Sequence, residues 1–168
     1  MILIEENGVT ESALMERNLS STQYTDPVSH DGIHDALTHL ASPALFYEVA
    51  YIELSRSDRE KTPLTLFQFN LAAKPDREIT SEYEITIINF AKAIRLISRQ
   101  SDLSARVGRF VFFSLLHIPE SGAPGYILRL QETWQSESYL LSSKHVTRES
   151  GESLLPLLNR LDIAESIH

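Results

Sequence analysis

An α/β sandwich around a mixed sheet is what this sequence predicts, and three observations predict it. Segments of helical period alternate with short β-branched and aromatic runs between Ser42 and Ile163. The run Leu64 to Leu71 (LTLFQFNL) is mostly apolar on both faces, as befits a central strand covered by layers above and below. Arg99 to Leu116 (RQSDLSARVGRFVFFSLL) reads as strand, turn, strand, with Gly108 at the reversal and Val111, Phe112 and Phe113 opening a buried strand.

Taken in order, residues 1–32 form a polar, acidic arm with Asn7-Gly8, Asp26-Pro27 and Asp31-Gly32 as turn signals; Glu11 to Leu19 has the only helical tendency. This arm is expected to be mobile or to dock, and residues 33–168 to form one domain. Ser42-Pro43 starts the first helix, because Ser accepts from an orphan N–H and Pro has none to lose. Leu45, Phe46, Val49, Ala50, Ile52 and Glu53 follow the helical period to a charged exit, Arg56 to Lys61. Pro63 then opens the strand over Leu64 to Leu71. Ser81-x-x-Glu84 fits a capping box, and Ile85, Ile88, Ala91, Ile94 and Leu96 or Ile97 supply a buried stripe running to Ser98. Ala105 to Val107 leads into the hairpin and Val111 to Leu116 leads out of it. Pro124 marks a third helix to about Gln135, and Tyr139 to Val146 another strand. Ser153 caps a last helix, Leu154 to Ile163, in which Pro156 is tolerated in the first turn.

The chain of 168 residues is long enough for one domain with a core, and 42% hydrophobic residues make it globular. There is no cysteine, so disulfides and thiolate metal sites are excluded. No apolar run suits membrane insertion, and Met-Ile-Leu-Ile-Glu-Glu is no signal peptide, which together predict a cytoplasmic protein. A formal net charge of −8 argues against nucleic acid as a partner, since the long-range field repels phosphates. A small anionic ligand at a local Arg cluster remains compatible with it.

Asp35-Ala36-Leu37-Thr38-His39-Leu40 followed by Phe46 resembles the D-x-L-T-x-L…F opening of GGDEF domains, the diguanylate cyclases that join two GTP molecules into cyclic di-GMP. Further on, Ala105 to Phe112 (ARVGRFVF) stands where that family has A-R-x-G-G-D-E-F. The resemblance covers roughly Asp35 to Asp162 and implies a GGDEF-like, nucleotidyl-cyclase-type three-layer sandwich with helices on both sides of the sheet.

The same resemblance implies that catalysis has been lost. Phosphoryl transfer needs divalent metal held by carboxylates. Asn70 replaces the metal-binding Asp at the end of the first central strand; Arg109 replaces the second Gly; Phe110 and Val111 replace both acids of the turn. Lys74-Pro75-Asp76-Arg77 lacks the family's substrate motifs, and the C-terminal signature is missing after Leu161-Asp162. Glu84 holds a guanine-reading position, although capping also explains it. Asn70, Glu84, Gly108, Arg109, Phe110 and Val111 are therefore expected to be a vestigial active site, without metal or cofactor.

One binding motif survives. Arg99-Gln-Ser-Asp102 matches the R-x-x-D of the family's inhibitory site for cyclic di-GMP, five residues before the turn Gly. A guanidinium fork suits phosphate or the guanine edge, and a carboxylate accepts from guanine N–H groups. The bland reading is that Arg99 sits at a helix C-terminus and Asp102 in a turn for local reasons. Arg95 and Arg106 could assist, with a structural partner favoured for Arg106.

Other constellations are weaker. His30, Asp31, His34 and Asp35 suggest metal ligation without completing a set, and His117 and His145 have no nucleophile at a telling spacing. Arg109 and Phe110 at the turn tip would suit a protein contact if exposed. Two functions therefore stand open: a catalytically inactive receptor for cyclic di-GMP, with room for a homodimer bridged by the ligand, and a nucleotide-independent interaction module.

Overall fold

A computed structural model describes residues 32–75 and 83–168 of the chain. The arm at residues 1–31, His30, Asp31 and the Ser81 half of the capping box lie outside the described residues. The elements are α1 (Pro43–Glu60), β1 (Thr65–Ala73), α2 (Tyr83–Ile97), β2 (Leu103–Arg106), β3 (Val111–Leu116), a 3₁₀ turn (Glu120–Gly122), α3 (Ala123–Thr133), β4 (Tyr139–Thr147) and α4 (Leu154–Ile163). The order of elements matches the sequence reading. No described helix is long and apolar enough to cross a membrane.

The sheet order is β2-β3-β1-β4, so the doubly apolar β1 is central as its composition requires. Every pairing between these strands is antiparallel. The expected mixed character shrinks to one parallel bridge, in which Ala41 lies beside Ala105 and its N–H donates to the Ser104 carbonyl at 3.0 Å. The reason is the strand order: the connections through α2 and α3 each return the chain in the same sense, so β1 runs with β2 and β3 with β4, but the order β2-β3-β1-β4 interleaves the two pairs and every neighbour is opposed. At the far side Ile167 bridges Ser143 through two backbone hydrogen bonds of 2.7 and 2.8 Å.

Alternation along β1 and β3 divides the interior into two cores. Phe67, Phe69, Leu71, Phe112 and Leu116 face α2 and α3, where they meet Ile87, Phe90, Tyr126 and Leu130. Leu66, Phe113 and Leu115 face α1 and α4, against Phe46, Ala50, Leu54, Leu157 and Leu161. This is a three-layer α/β/α sandwich. Each fully buried Phe contributes roughly 1.5–3 kcal/mol, so the paired cores are the main source of stability.

Local expectations fare unevenly. Ser42 caps α1 as expected, accepting from the Leu45 N–H at 3.2 Å, and Lys61 closes that helix in a left-handed conformation. Ser153 stands at the start of α4, but its side chain makes no capping bond. The stripe of α2 is Ile87, Phe90, Ala91 and Ile94, while Ile85 and Leu96 are exposed. In a helix so rich in aliphatic residues the period alone is ambiguous, and the bulk of Phe90 between Phe112 and Trp134 sets the face. Ile52 of α1 is likewise exposed, and Leu54 takes the buried place.

Gly108 does not use the left-handed conformations that only glycine favours. A Cβ there would meet the Val111 side chain at 3.3 Å, so the turn requires small size rather than an unusual φ.

Candidate functional site

Two places matter, one at each end of β2. The first is a cleft of about 410 Å³ between the C-terminal end of α2, the start of β2 and residues 34–45. Leu40, Ala41, Leu45, Ile94 and Leu103 give it an apolar lining, and Arg95, Arg99 and Asp102 stand among its polar residues. The hairpin turn does not line it.

Arg99 leaves the end of α2 exposed, and among the described residues its guanidinium takes no hydrogen bond or ion pair. Asp102 is half-buried. Its carboxylate accepts from the Arg99 N–H at 2.8 Å while its own N–H donates to the Arg99 carbonyl at 3.0 Å. The sequence motif is thus a closed turn that fixes the carboxylate beside the Arg and leaves the cation pointing out. Arg95 donates to the Thr38 carbonyl at 2.5 Å, tying α2 to the loop that forms the opposite lip.

Arg106 has the structural partner the sequence favoured. Its guanidinium meets both oxygens of Asp35 at 3.1 and 3.3 Å, with neither side chain more than 7% exposed. Asp35 also accepts from the Thr38 N–H at 2.8 Å and from the Thr38 hydroxyl at 2.5 Å. Arg106 Nε donates to the Arg109 carbonyl at 3.3 Å. One buried ion pair therefore locks the D-x-L-T segment, the floor of the cleft and the hairpin turn together.

The second place is that turn. Val107 and Gly108 both donate to the Val111 carbonyl, at 2.9 and 3.2 Å. Asn70 pairs with Val111 across β1 and β3, and its Oδ1 accepts from Gln68 at 3.2 Å. Phe110 and Val111, adjacent in sequence, go to opposite faces of the sheet.

The expectation of an exposed Phe110 tip is corrected by the packing. Phe110 is half-buried, 6.0 Å edge-on from the Tyr83 ring and 5.6 Å from that of Tyr139. Arg109 lies over the Tyr83 ring at 4.3 Å. Aromatic neighbours collect the tip because Phe110 and the Arg109 guanidinium both pack favourably on aromatic rings. Burial pushes the Tyr139 phenol above its ordinary 10.0, and the Arg109 charge pulls it back in part. Glu84 is exposed at the start of α2.

A divalent cation demands hard oxygen donors. At this junction Phe110 and Val111 offer none, and the Asn70 oxygen is already engaged. Among the described residues no group of three or more His, Asp and Glu side chains gathers anywhere. The residues present do not fit a two-carboxylate metal site.

His117 Nε2 pairs with Glu53 at 2.9 Å, and His145 stacks on Phe67; each has a packing role. Sequence reasoning quoted Thr38 and Leu40 for the resemblance alone and missed their roles: Leu40 lines the cleft, and Thr38 donates to Asp35 in the ion-pair network. The L-T-x-L spacing was the available signal.

This three-layer arrangement, with its hairpin between the second and third strands, is the fold of GGDEF domains. The GGDEF domain of DgcB from Caulobacter crescentus, solved in complex with c-di-GMP, superposes with a TM-score of 0.66 at 16% identity, over 81% of this chain and 89% of that one. The FimX GGDEF domain from Pseudomonas aeruginosa gives 0.67 at 18%, over 78% and 90%. The diguanylate cyclase SiaD of Pseudomonas aeruginosa, solved in complex with its activator SiaC, gives 0.67 at 20%, over 91% of this chain but 62% of that one. At these identities the likeness is one of fold. No protein-family profile and no curated protein matches the chain.

Proposed function

We propose that this domain is a catalytically inactive member of the GGDEF-fold regulators in cyclic di-GMP signalling, and that it works as a cytoplasmic receptor for the dinucleotide. The observation that carries the reading is the exposed Arg99 guanidinium, unengaged among the described residues and held beside Asp102 at a cleft with an apolar floor. The guanidinium takes a phosphate or the O6/N7 edge of a guanine, the free carboxylate oxygen takes guanine N–H groups, and the floor takes a base face. The bound c-di-GMP of the DgcB domain supports the choice of ligand. Loss of cyclase activity rests on the donor set at Asn70, Phe110 and Val111.

Calorimetric titration with cyclic di-GMP tests the reading, with GTP and magnesium as the turnover control. The expected result is saturable binding that Arg99→Ala weakens about 10- to 100-fold, the worth of one charge-assisted contact. Heat in the parent that survives unchanged in Arg99→Ala and Asp102→Ala, or conversion of GTP to the cyclic dinucleotide, overturns it.

A second reading has one observation in its favour. The Asp102 carboxylate already has a complete local job in closing the turn at Arg99, which an interaction module without nucleotide would also keep. Silence in the titration selects that module.

A further inference from the structure

The chain carries a formal charge of −8, yet from Ile85 to Gln100 it has no acidic residue. Lys92, Arg95 and Arg99 follow one another at spacings of three and four, which places them on one face, and all three are exposed. Two of them line the cleft. The opposite charge is concentrated in residues 1–31, where Glu5, Glu6, Glu11, Glu16, Asp26 and Asp31 face Arg17 as the only Lys or Arg.

That segment joins the domain at the lip of the cleft. The Gly32 carbonyl accepts from the Ser42 hydroxyl at 3.0 Å, the Ile33 carbonyl from the Ser42 N–H at 2.8 Å, and His34 lines the cavity. His34 and Arg99 line the same cavity, and the sixteen residues from Glu16 to Gly32 allow a maximum span of about 3.3–3.6 Å each, long enough for Glu16 to reach Arg99.

We propose that the acidic segment of residues 1–31 docks on the Arg95–Arg99 cleft of its own chain and competes there with the anionic ligand. A glutamate presents to a guanidinium the same planar pair of oxygens that a phosphate does, so both occupy the same fork. Docking needs only the cleft; competition rests in addition on the receptor reading above. Occupancy by the segment sets a threshold for the dinucleotide, and ligand binding frees the segment.

The absence of cysteine makes a direct test simple. A nitroxide on Asn7→Cys in the full chain is read by broadening of the Ser98, Arg99 and Gln100 amide resonances. The same label is placed on a variant with Glu5, Glu6, Glu11 and Glu16 all changed to Gln. Docking predicts broadening in the parent that is lost in the variant and at high salt, since exposed pairs are screened. Tethering alone would leave broadening equal in both and overturns the proposal. Broadening seen only when labelled and unlabelled chains are mixed also overturns it, by assigning the contact to a second copy.

Cyclic di-GMP is then added to both proteins. Competition predicts that it removes the broadening and binds the variant about 3- to 10-fold more tightly, the worth of two exposed ion pairs. Charge-dependent broadening without any dinucleotide binding supports docking and rejects the receptor. Equal affinity for parent and variant rejects competition and leaves the receptor standing.

Discussion

Replacing Asp35 by Asn should cost this domain roughly 3–5 kcal/mol, because it strands the Arg106 guanidinium in a dry interior. The structure makes the magnitude concrete. Asp35 is fully buried, it meets Arg106 through two contacts of 3.1 and 3.3 Å, and Arg106 is itself buried. Arg106→Met should be comparably severe, leaving a carboxylate with only the Thr38 donors. The double change Asp35→Leu with Arg106→Met should cost less than either single change, because a buried pair replaced by apolar side chains of similar volume is often neutral. Urea unfolding measures all four proteins, with a constant m-value as the check that only stability has moved. Single variants within about 1 kcal/mol of the parent, or a double variant equal to their sum, would refute the buried-pair argument.

Two further outcomes follow from the packing and the charges. Phe110→Ala should lower stability by about 1–3 kcal/mol in the same urea assay, since its ring packs on Tyr83 and Tyr139; an unchanged midpoint would return it to the exposed tip the sequence suggested. Asp58 is held at a pKa of about 2, against its ordinary 3.8, first by side-chain hydrogen bonds from Arg148 at 2.7 Å and then by the Gly151 N–H. A depressed carboxylate stabilises above its unfolded pKa and loses that contribution as pH falls through the folded one. Asp58→Asn should therefore melt below the parent at neutral pH, with the gap closing between about 3.8 and 2; a gap constant down to pH 2 contradicts this.

The order of elements was legible because each carries its own punctuation. Ser42-Pro43 starts α1, and the doubly apolar LTLFQFNL places β1 at the centre. The helix faces were less legible. Ile85 and Leu96 are as apolar as Ile87 and Ile94, and only the third dimension, with Phe90 wedged between Phe112 and Trp134, decides among them. At the site, the Arg99–Asp102 turn could be anticipated from local spacing; the sequence favours a structural role for Arg106 without naming its partner Asp35, 71 residues away. The fate of Phe110 could not, since its burial depends on Tyr83 and Tyr139, which are remote in sequence and brought together by the sheet.

The bridges at Ala41 and Ile167 have a consequence for how copies of this domain meet. Bare outer strands invite a second molecule to extend the sheet, a route to both dimers and aggregates. Here the four-residue β2 already gives its Ser104 carbonyl to Ala41, and in the middle of β4 Ile167 takes both the N–H and the carbonyl of Ser143. A newcomer pairing at either of those two positions would first have to peel away a piece of the chain. Sheet extension is thereby obstructed by the chain itself at Ser104 on one edge and Ser143 on the other.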